Sequence, residues 1–370
     1  MKRLILILIL LFPLTTFGAT VTKSICSTGG DYSTITLWAA DLDNTTPYDA
    51  GDDAVGEMCD EAFDEEPVIN GGGTIVLNTI ELTAASSARH TGIAGTGARI
   101  VIGGTGGQNI LSLTSDATTT VSWIEIDGNL QARSGAKIGI SVAQASGSII
   151  HHVIIHGVSS TVGNASGMNV SEDAVIFRTL LYRITVTAGN GDVDLARCLN
   201  MGASTKVQTV ESVTCFDVTA DSPTNANFAE GFNISDNANK RYQNILCLDM
   251  NGTGTGADIC YSDTSITNAT AVSNGASDTS ASGTNPQDSL DPATELTSVT
   301  EGSEDLHLKT GATSIDAGVD LVNTPSGIKD DIDNYDVDAA GVTWDIGADE
   351  FVAAVGGAVV PDILRKLFVN

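Results

Sequence analysis

A right-handed parallel β-helix with a short helical cap at its N-terminal end is the fold expected of this all-β chain of 370 residues, and three features lead to it. From about Gly71 the chain breaks into short β-rich runs separated by Gly, Asn, Ser, Thr and Asp, with no long helical periodicity until the last ten residues. Those runs fall into two repeating sets. The first reads Gly139 to Val142, Gly167 to Val170, Cys198 to Met201, Gly231 to Ile234 and Asp258 to Tyr261, and the second is centred on Ile126, Ile155, Tyr182, Cys215 and Cys247. From a first-set run to the next second-set centre the separation is 16, 15, 17 and 16 residues, whereas the return leg varies over 13, 12, 16, 16 and 11. A coil with two fixed strands and one variable corner buries its inward side chains only by stacking on the next coil, which pairs each run in parallel with its counterpart. A β-sandwich, the competing fold for short Gly-rich strands, has no reason to repeat both run and spacing.

The elements follow in order. Met1, Lys2 and Arg3, an apolar run from Leu4 to Leu14 and the small residues up to Ala19 have the layout of a signal peptide, so residues 1–19 are expected to be removed on export. Residues 20–70 differ in texture and form an N-terminal cap region. Within it Thr34 to Leu42 reads as a helix with Ile35, Trp38, Ala39 and Leu42 on one face and Asp31 or Ser33 as its N-cap. The coils occupy 71–274. A Ser/Thr/Asp-rich loop or linker follows over 275–300, then a closing segment over 301–354 and a short tail over 355–370.

Charge narrows the partners. Seventeen Lys and Arg against 46 Asp and Glu give a net charge of −29, which repels nucleic acid and anionic lipid. With the leader gone, no membrane span is expected. Export permits disulfides among the six cysteines. Cys26 and Cys59 bracket the cap helix and form one candidate bridge. Cys215 and Cys247, one coil apart at equivalent positions, form another, with stacked reduced thiols as the alternative and Cys198 and Cys260 left over.

Gly30-Asp31-Tyr32-Ser33-Thr34-Ile35 resembles the opening that precedes the N-terminal cap in the pectate-lyase-like right-handed β-helix superfamily. Ser314 to Gly318, then Asp331-Ile332-Asp333-Asn334, then Trp344 to Phe351 are similar to the closing segment of secreted bacterial β-helix proteins. That family usually continues the Asp-Ile-Asp element with a Gly and a nearby Arg; here Asn334 replaces the Gly and no Arg follows. The resemblance implies fold and exported context, and leaves activity open.

Alignment of the second-set runs places Asp127, His156 and Arg183 at equivalent outward positions of consecutive coils, an acid, imidazole and base stripe. Lyases of the resembled superfamily abstract a proton with a basic side chain, and its hydrolases use paired Asp, so the stripe is the candidate catalytic set. An exposed polar ladder is its plain alternative. The spaced Asp pairs with Gly-His-Gly and Arg-Ile-Lys elements of polygalacturonases are not found. Asp331, Asp333, Asp336 and Asp338 lie in a run dense enough to hold a structural Ca²⁺, against solvated turn aspartates as the alternative. Asn169, Asn200 and Asn233 fall at equivalent first-set positions and are expected to form a ladder.

Three functions fit this pattern. The first is a secreted, periplasmic or cell-surface β-helix that binds extracellular polysaccharide or cell-surface glycan, or mediates adhesion, without catalysis. The second is a polysaccharide lyase or glycoside hydrolase. The third is a phage tailspike-like or fibre protein, for which a homo-oligomer is expected and against which the signal peptide argues.

Overall fold

The computed structural model describes residues 18–352 apart from 103–107, 132, 144–146, 188–194, 202–205, 222–227, 235–239, 254–257, 263–269, 322–329 and 336–342. The leader up to Phe17 and the tail from 355 therefore lie outside the described residues. No described helix is long and apolar enough to cross a membrane.

The chain is a parallel β-helix. In the longer sheet, strands Thr20–Ile25, Asp53–Met58, Thr79–Ala84, Thr118–Ser122, Ser148–His156, Ala174–Thr187, Gln208–Asp221, Lys240–Gly252 and Thr270–Val272 stack in chain order. A second sheet stacks Val68–Ile69, Asn109–Leu113, Lys137–Val142, Ala165–Val170, Leu195–Met201, Phe228–Ile234 and Ile259–Tyr261. Every pairing within these two sheets is parallel, as successive turns of one solenoid require. Stacking begins at Thr20, inside the region whose texture sets it apart, so the cap is confined to the helix Ile35–Ala40 and its flanks. Thr34, not Asp31 or Ser33, is the N-cap, its hydroxyl accepting from the Leu37 N–H at 3.1 Å. Trp38 is buried against Gly56, where any Cβ would collide with the indole.

Register follows the two run sets with two slips. Ile126, Ile155, Cys215 and Cys247 align, but their partner in the intervening coil is Leu181 rather than Tyr182. In the second sheet Phe232 pairs with Tyr261, two residues from the alignment of Asp258 with Gly231. A slip of two keeps each side chain on its face, whereas a slip of one reverses it.

The bore is narrow at one height, where small residues face large ones. A Cβ on Gly139 would meet Ile155, one on Gly167 would meet Leu181, and one on Gly231 would meet the Cys247 sulfur. The column Gly139, Gly167, Cys198, Gly231 and Cys260 thus faces the column Ile155, Leu181, Cys215 and Cys247 across the interior. Disulfides join Cys198 to Cys215 and Cys247 to Cys260 across that gap, and Cys26 to Cys59 near the cap. Cys215 and Cys247 do stand in register in neighbouring coils. They bond across the bore instead of along it because each has a cysteine of the facing sheet opposite.

Long strands of the first sheet turn at residues with left-handed backbone. Trp123, His152, Arg178, Ser212, Asn244 and Ser273 form one such corner column, with φ between 44° and 59°. Gly157, Arg183, Asp217 and Asp249 form a second. Side chains between the two columns alternate strictly, so Ile154, Leu180, Tyr182, Phe216, Leu246 and Leu248 project from the outside of the solenoid and are nevertheless buried. The closing segment covers them. Leu306, Leu308, Ile332, Ile346 and Ala348 pack on this strip, so the segment runs along the flank of the coils and does not merely plug the last one.

Polar anchors at the first corner column fix that docking. His152 Nε2 donates to the Asp331 carbonyl at 2.7 Å, and Arg178 Nε donates to the Asp330 carbonyl at 2.8 Å. The Asn244 amide donates to the Val319 carbonyl and accepts from its N–H, both at 2.8 Å. Arg178, fully buried, also pairs with Glu350 at 3.1 Å, so the cation beside the closing motif comes from a coil. Within the segment, Gly318 N–H bonds the Trp344 carbonyl and Asp316 N–H bonds Asp345, which brings the two resembling motifs together.

Candidate functional site

Two outward columns lie between the corners. One runs Glu125, Ile154, Leu180, Thr214 and Leu246, the other Asp127, His156, Tyr182, Phe216 and Leu248. Their apolar members and Thr214 lie under the closing segment, and Glu125, Asp127 and His156 gather at the N-terminal end of the strip.

There His156 stands between two carboxylates. Its Nε2 bonds Glu125 Oε1 at 2.8 Å, and its Nδ1 lies 3.7 Å from Asp127 Oδ1. The ring stacks on Tyr182 with centroids 5.0 Å apart. Glu125 is buried, and its other oxygen accepts from the Gly95 N–H at 2.6 Å. Asp127 accepts from the Asn129 N–H at 2.6 Å. Burial first, then the negative charges of Glu125 and Glu304, push the Tyr182 phenol far above its ordinary value, which keeps it a neutral stacking partner.

Asp127 and His156 are therefore neighbours, but Arg183 does not join them. Tyr182 occupies the aligned position, and Arg183 sits at the next residue, in a left-handed corner with φ of 53°. Its guanidinium pairs with Glu301 at 3.0 Å and Glu304 at 3.4 Å. The one-residue register slip accounts for the difference. Glu125, which the stripe omitted, was recoverable from alternation, because it precedes Asp127 by two and shares its face.

Of the four aspartates expected to hold calcium, Asp336 and Asp338 lie outside the described residues. Asp331 is buried and its Oδ1 accepts from the N–H groups of Asp333 and Tyr335 at 2.9 and 2.7 Å, so this oxygen shapes the turn. Burial, with Asp349 nearby, raises its carboxyl to about 7. Asp333 turns instead to His307, with its Oδ1 3.1 Å from Nε2.

Three histidines, His90, His151 and His152, cluster at the corner where His152 anchors the closing segment. His90 Nε2 donates to the His152 carbonyl at 2.8 Å, and His151 Nδ1 lies 2.9 Å from His152 Nδ1. Because His152 Nε2 carries a proton toward the Asp331 carbonyl, the neutral ring has an acceptor at Nδ1, and His151 is the donor. Burial depresses all three imidazoles, His151 to about 4.

The second sheet has a different outer surface. Ser112, Ser141, Asn169, Asn200 and Asn233 stand in register across five coils. The Asn200 amide donates to Asn169 Oδ1 at 3.1 Å, and the three asparagines remain half-exposed.

No protein-family model matches the chain, and no curated protein is similar to it. Among solved structures, the crystal structure of pectate lyase Pel9A is similar at 13% identity and a TM-score of 0.36, covering 90% of this chain and 98% of that one. The fold assignment rests on the strand register itself.

Proposed function

We propose that the protein is an exported β-helix that binds extracellular polysaccharide or cell-surface glycan without cleaving it. The observation that carries this reading is the row of Asn169, Asn200 and Asn233, half-exposed amides in register at a coil spacing of ~4.8 Å. Such uncharged donors and acceptors suit sugar hydroxyls and do not repel a neutral glycan. Three disulfides support export, since they persist in oxidising compartments. Against catalysis by the expected trio, Arg183 is held by Glu301 and Glu304, and His156 is shared between Glu125 and Asp127.

The test is a screen of the purified mature chain against neutral and acidic polysaccharides, with and without Ca²⁺, following both retention and new unsaturated or reducing ends. Binding to a neutral glycan without products is expected, weakened at least tenfold by Asn169→Ala with Asn200→Ala. Products that vanish in His156→Gln would replace this reading with the lyase or hydrolase one. A stable trimer without glycan binding would favour the fibre.

A further inference from the structure

We propose that His307, Asp333 and Asp349 form a site for a divalent transition-metal ion of the zinc or manganese class. His307 lies on the strand Asp305–Leu308, Asp333 follows Ile332 in a turn, and Asp349 precedes Glu350 near the end of the described chain. The docked closing segment brings one donor atom of each within 4.8 Å of the others.

The ring is oriented as a ligand. Asp305 bonds the His307 Nδ1, which directs Nε2 toward Asp333 Oδ1 at 3.1 Å. A carboxylate behind a histidine in this way fixes the tautomer and raises the basicity of the outward nitrogen. Asp349 is likewise positioned, its Oδ2 accepting from the Leu308 N–H at 2.7 Å and leaving the other oxygen for an ion.

Space is provided from outside the segment. Gly92, at φ of +72°, packs against the pair so that a Cβ there would stand 2.5 Å from His307 Nε2 and 2.8 Å from Asp333 Oδ1. Glycine there leaves the facing edges of both donors uncovered, and their separation of 3.1 Å is close to the edge spanned by two metal–ligand bonds of ~2.0–2.2 Å. Any larger residue at position 92 would collide with both donors. Three carboxylates, Asp305, Asp333 and Asp349, surround one imidazole, and a dication offsets the excess.

The donor set decides the ion. One imidazole nitrogen with two carboxylate oxygens suits borderline ions, whereas calcium takes six to eight oxygens. The site therefore differs in place and chemistry from the Asp331 to Asp338 calcium expected from sequence. It joins three stretches of the closing segment beside the loop at Gly92, independently of whether a glycan binds the other face.

The experiment titrates chelator-treated, disulfide-intact mature protein with Zn²⁺ by calorimetry, with excess Ca²⁺ as competitor. One equivalent is expected to bind and to resist Ca²⁺, with cobalt substitution showing a single imidazole by X-ray absorption. His307→Gln, Asp333→Asn and Gly92→Val should each weaken binding at least a hundredfold, and Asp305→Asn by roughly 10–100-fold. His156→Gln should bind as the parent does. Metal-free circular dichroism and melting of each variant separate lost ligation from lost folding, and the parent titration stands alone should a variant unfold. No stoichiometric binding by the parent, binding unchanged in His307→Gln, or loss in His156→Gln with retention in His307→Gln would each overturn the site.

Discussion

The two outer faces of the solenoid are built by the same rule and end in opposite states. Outside the first sheet, Ile154, Leu180, Tyr182, Phe216, Leu246 and Leu248 make an apolar strip that the chain's own closing segment covers. Outside the second sheet, the row of Asn169, Asn200 and Asn233 remains half-exposed. An outward position in a β-helix is thus not by itself a solvent position. Its fate depends on whether a later part of the chain returns to it, and an apolar strip of this length demands such a return.

A carboxylate placed on each face should break the comparison most sharply. Leu246→Asp puts an unpaired charge beneath Ile346 and Ala348, at a side chain with no solvent exposure. A loss of roughly 4 kcal/mol is expected from forfeited burial and the uncompensated charge. Asn200→Asp on the open row should cost less than about 1 kcal/mol. Chemical denaturation of both variants checks this; similar losses would mean that the closing segment does not seal the strip.

The solenoid was legible in the sequence because its signal is redundant. Each run repeats five times, so errors at Tyr182 and Asp258 did not hide the period. The site was less legible for the same reason that it matters. Its membership turns on single residues, and the left-handed corners at His152, Arg178 and Arg183 carry no glycine to announce them. Arg183 was read one step out of place. The apolar outward strip was equally invisible, since alternation alone suggests that residues opposite the bore face water. The cross-bore disulfides needed the small-against-large pairing of Gly139 with Ile155 and Gly167 with Leu181, which appears only once the facing sheets are in register.

Acid sharpens the contrast from the covered side. His151 stacks on Phe177 with rings 4.7 Å apart and 2° from parallel, and sits beside His152 and Arg89. Burial first, then the Arg89 charge, holds its pKa at about 4, below the free value of 6.5. The folded state therefore binds fewer protons than the unfolded one between these values, and the stability this neutral ring confers is full above pH 6.5 and falls as pH drops through 4. At about 1.4 kcal/mol per unit, the loss reaches roughly 3 kcal/mol. His151→Phe keeps the stack and removes the titration. Melting from pH 7 to pH 4 should show the parent losing stability relative to this variant, whereas Asn169→Ala on the open face should track the parent; parallel curves for His151→Phe would exclude the imidazole as the cause.

The smallest effect belongs at the rim between the faces, where sequence expected the strongest chemistry. Arg183 pairs with Glu301, whose side chain is 78% exposed, and with Glu304. Solvent screens the first pair, whereas the Glu304 side chain is 5% exposed, so Arg183→Ala should cost about 1–2 kcal/mol, mostly from the carboxylate left without its cation. Under the non-catalytic reading the same substitution leaves neutral-glycan binding unchanged, because the guanidinium reaches neither His156 nor the asparagine row. A drop in binding with no drop in melting temperature would place Arg183 in the ligand's path and draw the binding face around the corner toward Asp127 and His156. Equal binding would confine it to the second sheet, and the left-handed corner would then hold Arg183 solely as a clasp on the segment that begins at Glu301.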